Sequence, residues 1–131
     1  MSTFALHLQD ATQHERVPDA SVFVGEDRTG QFGLMANHER MIAVLAFSMA
    51  RFRTAHGAWE YLALPGGLLY FADNVCCVAT SHYLRGGDRR KLSDALAAQL
   101  RQEEQALHGL RESLRNLERE IFLRIRRISH G

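Results

Sequence analysis

Six arginines crowd residues 111–131 of this 131-residue chain: Arg111, Arg115, Arg119, Arg124, Arg126 and Arg127. A guanidinium offers a planar fork of donors that grips a carboxylate or phosphate through two parallel hydrogen bonds. Arg111, Arg115 and Arg119 recur every four residues, the spacing that stacks side chains into one ridge of a helix. Two readings stand side by side. The ridge is either a solvated face neutralised by Glu112, Glu118 and Glu120, or a row built to meet an acidic partner. The other residues capable of chemistry are dispersed. Seven histidines (His7, His14, His38, His56, His82, His108 and His130) contain no H-x-x-x-H or H-E-x-x-H pair, and the adjacent Cys76 and Cys77 lack C-x-x-C spacing. A metal centre would have to be assembled from positions distant in sequence. His38, beside Asn37 at the end of a strand, is the most tempting catalyst, but a turn histidine bonded to backbone is the favoured reading. There is no G-x-x-x-x-G-K-[ST] phosphate loop and no G-x-S-x-G elbow, so no motif marks an autonomous enzyme or a cofactor site.

The elements that must position these residues fall into two parts. Up to about residue 84, aromatic and β-branched runs are short and separated by turn residues. Phe4, Leu6 and Leu8 alternate with Ala5, His7 and Gln9, a strand period of two. Ser21 to Val24, Gln31 to Met35, Met41 to Leu45, Phe47 to Arg53, Trp59 to Leu64, Leu68 to Phe71 and Val75 to Thr80 are further strand candidates. Glu26 to Gly30, Ala55-His56-Gly57 and Asp73-Asn74 read as turns, and Pro65-Gly66-Gly67 as a strand break. Many short strands with regular turns predict an antiparallel sandwich or barrel. Beyond Arg85-Gly86-Gly87-Asp88 the pattern becomes helical. Leu92, Leu96, Leu100, Leu107, Leu110, Leu114, Leu117, Ile121, Ile125 and Ile128 recur at three and four, an amphipathic stripe. Asp88 is the expected N-cap, with Ser93 as the alternative. Gly109, near the midpoint, costs about 1 kcal/mol inside a helix and serves well as a cap. The segment is therefore either a hairpin of two helices or one long helix weakened there. The expected architecture is α+β: an N-terminal antiparallel β-sandwich over residues 1–85, then a C-terminal α-helical hairpin or extended helix over residues 86–131.

Composition limits the surroundings. No apolar run approaches the roughly 18 residues of a membrane span. Met41 to Ala50, the longest, is interrupted by Ser48, and the N-terminus lacks the basic and apolar blocks of a secretory signal. Two adjacent cysteines read as free thiols in a reducing compartment. The net charge of +1 hides an asymmetry: residues 1–84 carry five arginines against eight acids, a net of −3, and residues 85–131 carry eleven basic residues against seven acids, a net of +4. A basic tail on an acidic body predicts an acidic partner for the tail. Interleaved glutamates and the small excess argue against nucleic acid.

Three segments carry a family resemblance. Gly25-Glu26-Asp27 with Gly30-Gln31-Phe32-Gly33-Leu34-Met35-Ala36-Asn37-His38 resembles the "G-E-x-G-x-F-G-I-x-P-x-H" segment of F-type ATP synthase epsilon subunits. Ala63-Leu64-Pro65-Gly66-Gly67-Leu68-Leu69, followed by Asn74-Val75 and Val78-Ala79-Thr80, resembles that family's "L-x-G-G-x-L…N-x-V-x-V-L-A" segment. Arg85-Gly86-x-Asp88 resembles the "R-G-x-D" junction between its β domain and its helices. Trp59-Glu60-Tyr61 and the short arginine-rich arm resemble the epsilon subunits of the alternate, laterally acquired operons called N-ATPases. The chain departs from the pattern in a longer Asp27–Gly30 segment and in Ala36, where many members carry proline. Neither Asp88 nor Asp94 is followed by Arg-Ala at the offset of the family's "D-x-x-R-A" ATP motif, which puts nucleotide binding by the arm in doubt.

The resemblance implies a non-catalytic subunit of the rotary central stalk, without cofactor or metal, at the cytoplasmic face of a bacterial inner membrane and touching that membrane only through the complex. Its partners would be the gamma subunit, the ring of c subunits and the alpha/beta catalytic head. His38 and its neighbours would serve rotor contacts. The arm, with Gly109 as hinge and Arg111, Arg115, Arg119, Arg124, Arg126 and Arg127 facing an acidic segment of the catalytic subunits, would brake ATP hydrolysis. The rival expectation is a free-standing β-sandwich adaptor that dimerises through a C-terminal coiled coil. The near-heptad stripe permits this, although polar Glu103 interrupts it.

Overall fold

Short apolar runs punctuated by glycine, asparagine and aspartate fold here into strands, and the period of three and four folds into helix. The structure is a computed structural model; it describes residues 2–130, with side chains through residue 127. The strands are β1 (Phe4–Gln9), β2 (His14–Asp27), β3 (Gly30–Met35), β4 (Met41–Thr54), β5 (Trp59–Ala72), β6 (Val75–Ala79) and β7 (Leu84–Gly86), followed by helix α1 (Arg89–His130). Ile128, the last member of the apolar stripe, lies outside the residues whose side chains are described.

The strand order is β1-β6-β5-β4-β2-β3, with β7 added to β5. β1 pairs in parallel with β6 and antiparallel with β2, so a six-residue strand closes the sheet on itself as a flattened barrel. This agrees with the β-sandwich expected from the sequence. The turns use the chemistry their residues offer. Asp73 and Asn74 both adopt left-handed backbone, at φ of 52° and 61°, in the two-residue hairpin between β5 and β6. Asp27 accepts the Thr29 N–H at 2.8 Å and the Thr29 hydroxyl at 2.6 Å, shaping the tight β2–β3 turn.

Strand lengths depart from the sequence reading. β2, β4 and β5 each run fourteen residues, so Met41 to Leu45 and Phe47 to Arg53 are halves of one strand. Pro65-Gly66-Gly67, expected to break the chain, lies inside β5. β4 and β5 pair in one register along their whole length, from Met41↔Phe71 through Leu45↔Gly67 and Phe47↔Pro65 to Arg53↔Trp59. The face turned to the core nevertheless changes parity along them. Ala43 and Leu45 are buried in one half of β4, Ser48, Ala50 and Phe52 in the other. Leu69 and Phe71 in β5 likewise give way to Leu62 and Leu64. Each strand thus contributes to both layers. The glycine pair allows the crossover: Gly66 sits at φ of 113°, and a Cβ on Gly67 would overlap the Ala79 carbonyl oxygen of β6.

Phe4, Phe23, Phe52 and Phe71, with Leu6, Leu8, Leu34, Leu62, Leu64 and Leu69, fill the space between the layers and are fully buried. Each such side chain contributes about 1.5–3 kcal/mol on leaving water. Phe4 and Phe71 meet edge to face with centroids 5.6 Å apart.

The chain divides into two compact units, Met1–Ala97 and Ala98–Gly131. The first contains all seven strands and the opening turns of α1. Asp88 caps that helix, its Oδ1 accepting the N–H groups of Arg90 at 3.0 Å and Lys91 at 3.2 Å. An anionic cap offsets the adverse placement of Arg89, Arg90 and Lys91 at the positive end of the helix dipole. Ser93, the alternative cap, lies within the helix. Leu92 in the first turn is buried. Of the two arrangements expected for the arm, α1 adopts the extended one, with Gly109 inside a helix of 42 residues.

These glycines predict opposite outcomes in urea unfolding. Gly67→Ala must displace the Ala79 carbonyl or twist β5, and should destabilise the protein by about 2 kcal/mol or more. Gly109→Ala meets nothing within 4 Å and should raise the helical circular dichroism signal, adding up to about 1 kcal/mol.

Candidate functional site

The outer face of the sheet presents an apolar patch. β4 carries Ile42 and Val44 outward, and the antiparallel register sets Tyr70 opposite Ile42 and Leu68 opposite Val44 on β5. β6 continues the two rows with Cys77 beside Tyr70 and Ala79 beside Leu68. Ile42 is 71% exposed, Val44 62%, Leu68 55% and Tyr70 43%. Four large apolar side chains adjoin across strands on this water-facing surface, which makes it the candidate docking face of the β domain. Inspection of the sequence located these strands but missed the patch. The signal was present: in antiparallel sheets one face is normally polar, whereas Met41 to Phe47 is apolar at every position, which implies a cover on both faces.

His38 lies in the β3–β4 turn, exposed, with no nucleophile or acid in bonding reach among the described residues. Its Nδ1 donates to the Glu39 carbonyl at 2.8 Å, and its ring stands edge-on to Phe71 with centroids 5.7 Å apart. Beside it, Asn37 is held in left-handed backbone (φ 63°) and donates its N–H to Asn74 Oδ1 at 2.7 Å. Asn74 Nδ2 donates in turn to the Thr3 carbonyl at 2.8 Å. The amide of Asn74 thereby ties the β3–β4 turn, the β5–β6 turn and the start of β1 together. In this geometry His38 is a turn residue bonded to backbone rather than a general base.

The far end of the sheet is fastened by charge. Asp10, whose side chain is 1% exposed, accepts at Oδ1 from the Thr12 and Gln13 N–H groups and the Thr12 hydroxyl, and at Oδ2 from Gln13 Nε2 and the Tyr83 N–H. The Gln13 amide, helped by the backbone donors and opposed by burial, holds the Asp10 carboxyl well below the usual carboxylate range. Tyr83, itself buried, donates its hydroxyl to Glu15 Oε1 at 2.7 Å; burial and this bond push its pKa upward. Arg85 grips Glu60 in a fork, Nε to Oε1 and Nη2 to Oε2, both 3.1 Å, and reaches Glu15 Oε2 at 3.0 Å while lying over the Phe52 ring. Bonds to Glu60 raise its pKa further. This network fixes the chain where it leaves the sheet for α1. The Arg85-Gly86-x-Asp88 junction was visible in the sequence; its acidic partners, Glu15 and Glu60, were not.

In the second compact unit, residues 101–127 are exposed throughout. At 100° per residue the ridge of Arg111, Arg115 and Arg119 takes in Arg126 and flanks the leucine stripe, whereas Arg124 and Arg127 fall on other faces. The six arginines expected to act together thus divide into a row of four and two others. Arg111, Arg115 and Arg119 make no ion pair among the described residues, and His108 pairs with Glu112 at 3.2 Å. No cluster of three or more potential metal ligands occurs among the described residues.

Residues 6–86 match the family described as ATP synthase, Delta/Epsilon chain, beta-sandwich domain. "ATP synthase epsilon chain 2" of Cereibacter sphaeroides is 31% identical over 87 residues, 66% of this chain and 60% of that one. The chain therefore spans less than two thirds of that relative. The epsilon chain of Streptomyces avermitilis is 27% identical over 111 residues, 85% of this chain and 83% of the other. Among solved structures, a chain of the Euglena gracilis mitochondrial ATP synthase OSCP/F1/c-ring assembly superposes with a TM-score of 0.61 at 20% identity, covering 75% of this chain and 64% of its own. A chain of the Tetrahymena thermophila central stalk and c-ring gives 0.55 at 12% identity, covering 64% and 69%. At these identities the structural likeness establishes the fold, a β-sandwich followed by helix.

Asp10 makes the far end of the sheet sensitive to acid. A carboxylate whose pKa is depressed by folding adds stability above its unfolded value of about 3.9, and this is lost as pH falls through the folded value. Urea midpoints measured from pH 7 to pH 2 should show wild type well above Asp10→Asn at neutrality, the gap closing at the acid end.

Proposed function

The chain belongs to the ATP synthase delta/epsilon chain family, and on that premise we propose that it is an epsilon subunit of a rotary F-type ATP synthase, of the alternate type that the name "epsilon chain 2" denotes in a relative. The observation that carries the reading is the coincidence of that family match, over residues 6–86, with an apolar patch on the same β domain. The free-standing adaptor is the less favoured reading.

In this proposal the occupant of the patch is the gamma subunit. Ile42, Val44, Leu68 and Tyr70 lose their remaining water against it, each adding on the order of 1 kcal/mol because they are already partly covered by the sheet. The closed sheet then turns with gamma as one body beside the c-ring and helps couple ion translocation to ATP synthesis and hydrolysis. A part that transmits torque needs stiffness rather than a reactive group. The proposal gives the chain no catalytic residue and keeps His38 as a surface contact of the rotor. No described helix is long and apolar enough to cross a membrane; the proposed place is the cytoplasmic face of a bacterial inner membrane, held there through the complex.

The arm is proposed to brake hydrolysis. Arg111, Arg115, Arg119 and Arg126 line one side of the leucine stripe, so an amphipathic target can be held by apolar contact and by bidentate pairing with carboxylates of the catalytic head. Arg124 and Arg127 would reach neighbouring surfaces. Gly109 would be the point at which the helix yields when the brake is released, because it has the weakest helical preference in that stretch.

Two measurements check this reading. Val44→Lys combined with Leu68→Glu should abolish co-purification with gamma while leaving the thermal midpoint of the isolated chain within a few degrees, since both side chains already face water and the new charges are opposite in sign across the paired strands; retained binding removes the patch from the interface. Deleting residues 88–131 should raise the ATPase rate of the assembled head without preventing assembly, and Arg115→Glu with Arg119→Glu should raise it part of the way. Unchanged rates in both would eliminate the brake.

A further inference from the structure

Folding joins two of the histidines that the sequence leaves seven residues apart. β1 and β2 form a hairpin whose register sets His7 opposite Arg16 and Gln9 opposite His14, which makes His7 and His14 diagonal neighbours within reach of each other's rings. The two rings meet end to end, their planes inclined at 28° and their centroids 5.4 Å apart, and His7 Nδ1 lies 3.1 Å from His14 Nε2. In the metal-free protein one of these nitrogens carries a hydrogen and donates to the lone pair of the other.

We propose that the His7–His14 pair is a binding site for a late first-row divalent metal ion, with His7 Nδ1 and His14 Nε2 as its two protein donors and water filling the remaining positions. The separation carries the inference. Two imidazole nitrogens each bound at about 2.0–2.1 Å stand about 2.9 Å apart at a right angle and about 3.3 Å apart at a tetrahedral angle. The observed 3.1 Å falls between these limits, and each ring has to swing by roughly 35–45° to turn its lone pair from the facing nitrogen onto a shared ion. Imidazole donors suit copper, nickel and zinc, with copper(II) held most tightly. His14 is exposed and His7 partly so, which leaves the outer hemisphere open to solvent ligands.

The hairpin holds this spacing in advance. Asp10 gathers Thr12 and Gln13 around its carboxylate, and its own N–H donates to the Gln13 carbonyl at 3.0 Å. The turn joining the two donor strands is thereby fixed before any ion arrives, as an effective site requires. The neighbouring groups permit the charge. Arg16, opposite His7, is exposed, and its long stem carries the guanidinium into solvent. Asp10 and Glu15 are committed to Gln13, Tyr83 and Arg85. Cys77 stands beside His7 in the parallel register of β6 but does not complete a three-donor cluster. The site is accordingly bidentate and exchangeable, unlike a structural zinc centre. It is independent of the stalk reading, because it uses the isolated β domain's own hairpin.

Copper(II) added to the full-length chain should give one saturable site by calorimetry and an electron paramagnetic resonance spectrum with two imidazole nitrogens. His7→Gln and His14→Gln should each lose the saturable phase; both side chains lie on the surface, and circular dichroism verifies that the variants fold. His38→Gln and His56→Gln should leave the phase intact. The proposal is overturned by a wild-type spectrum with one nitrogen or none, by retention of the phase in both hairpin variants, or by its loss in Cys77→Ser.

Discussion

The close approach of β5 to the Ala79 carbonyl at Gly67 is the constraint on which the rest of the structure depends. At that point no side chain fits, and β5 can pass from one layer of the sandwich to the other without releasing its pairing with β4. Because it does, one hairpin supplies core residues of opposite parity in its two halves. The sheet bends round until β1 can bond to both β6 and β2. Closure then leaves the patch, the Asn74 brace and the Arg85 network at fixed places on a single shell. Closure through β1 leaves β3 and β7 as edge strands and turns the rest of the sheet to a partner as faces.

Much of this was legible in the residues. Period-two alternation at Phe4 to Leu8, left-handed turn residues at Asp73-Asn74, the Asp88 cap and the three-and-four stripe after it each declare their element by local chemistry. The strand lengths were hidden because proline and glycine break most strands, and only the partner strand reveals that Pro65-Gly66-Gly67 is a crossover. The long-range acids were hidden for a related reason. Glu15 and Glu60 are ordinary surface residues until β2, β5 and β7 bring them around Arg85. The choice between hairpin and extended arm was likewise beyond local reading, since Gly109 is compatible with both.

The two ends of the sheet are stabilised differently. Near the β3–β4 turn, neutral amides and one imidazole bind backbone groups. Near the β1–β2 turn, a buried carboxylate and an arginine fork do the same work through charge. The apolar patch lies on the outer face between them. Such a surface gains when another molecule covers it.

Cys76 and Cys77 follow one another along β6 and therefore face opposite ways. Burial drives the Cys76 thiol up to about 12, with its neighbour adding to the shift. Cys77 faces outward, adjoining Tyr70. Sulfhydryl reagents will thus discriminate between adjacent residues of identical type, marking one and sparing the other. The unaltered polypeptide already possesses a unique attachment point for a fluorophore or spin label on the very surface where docking would alter its signal.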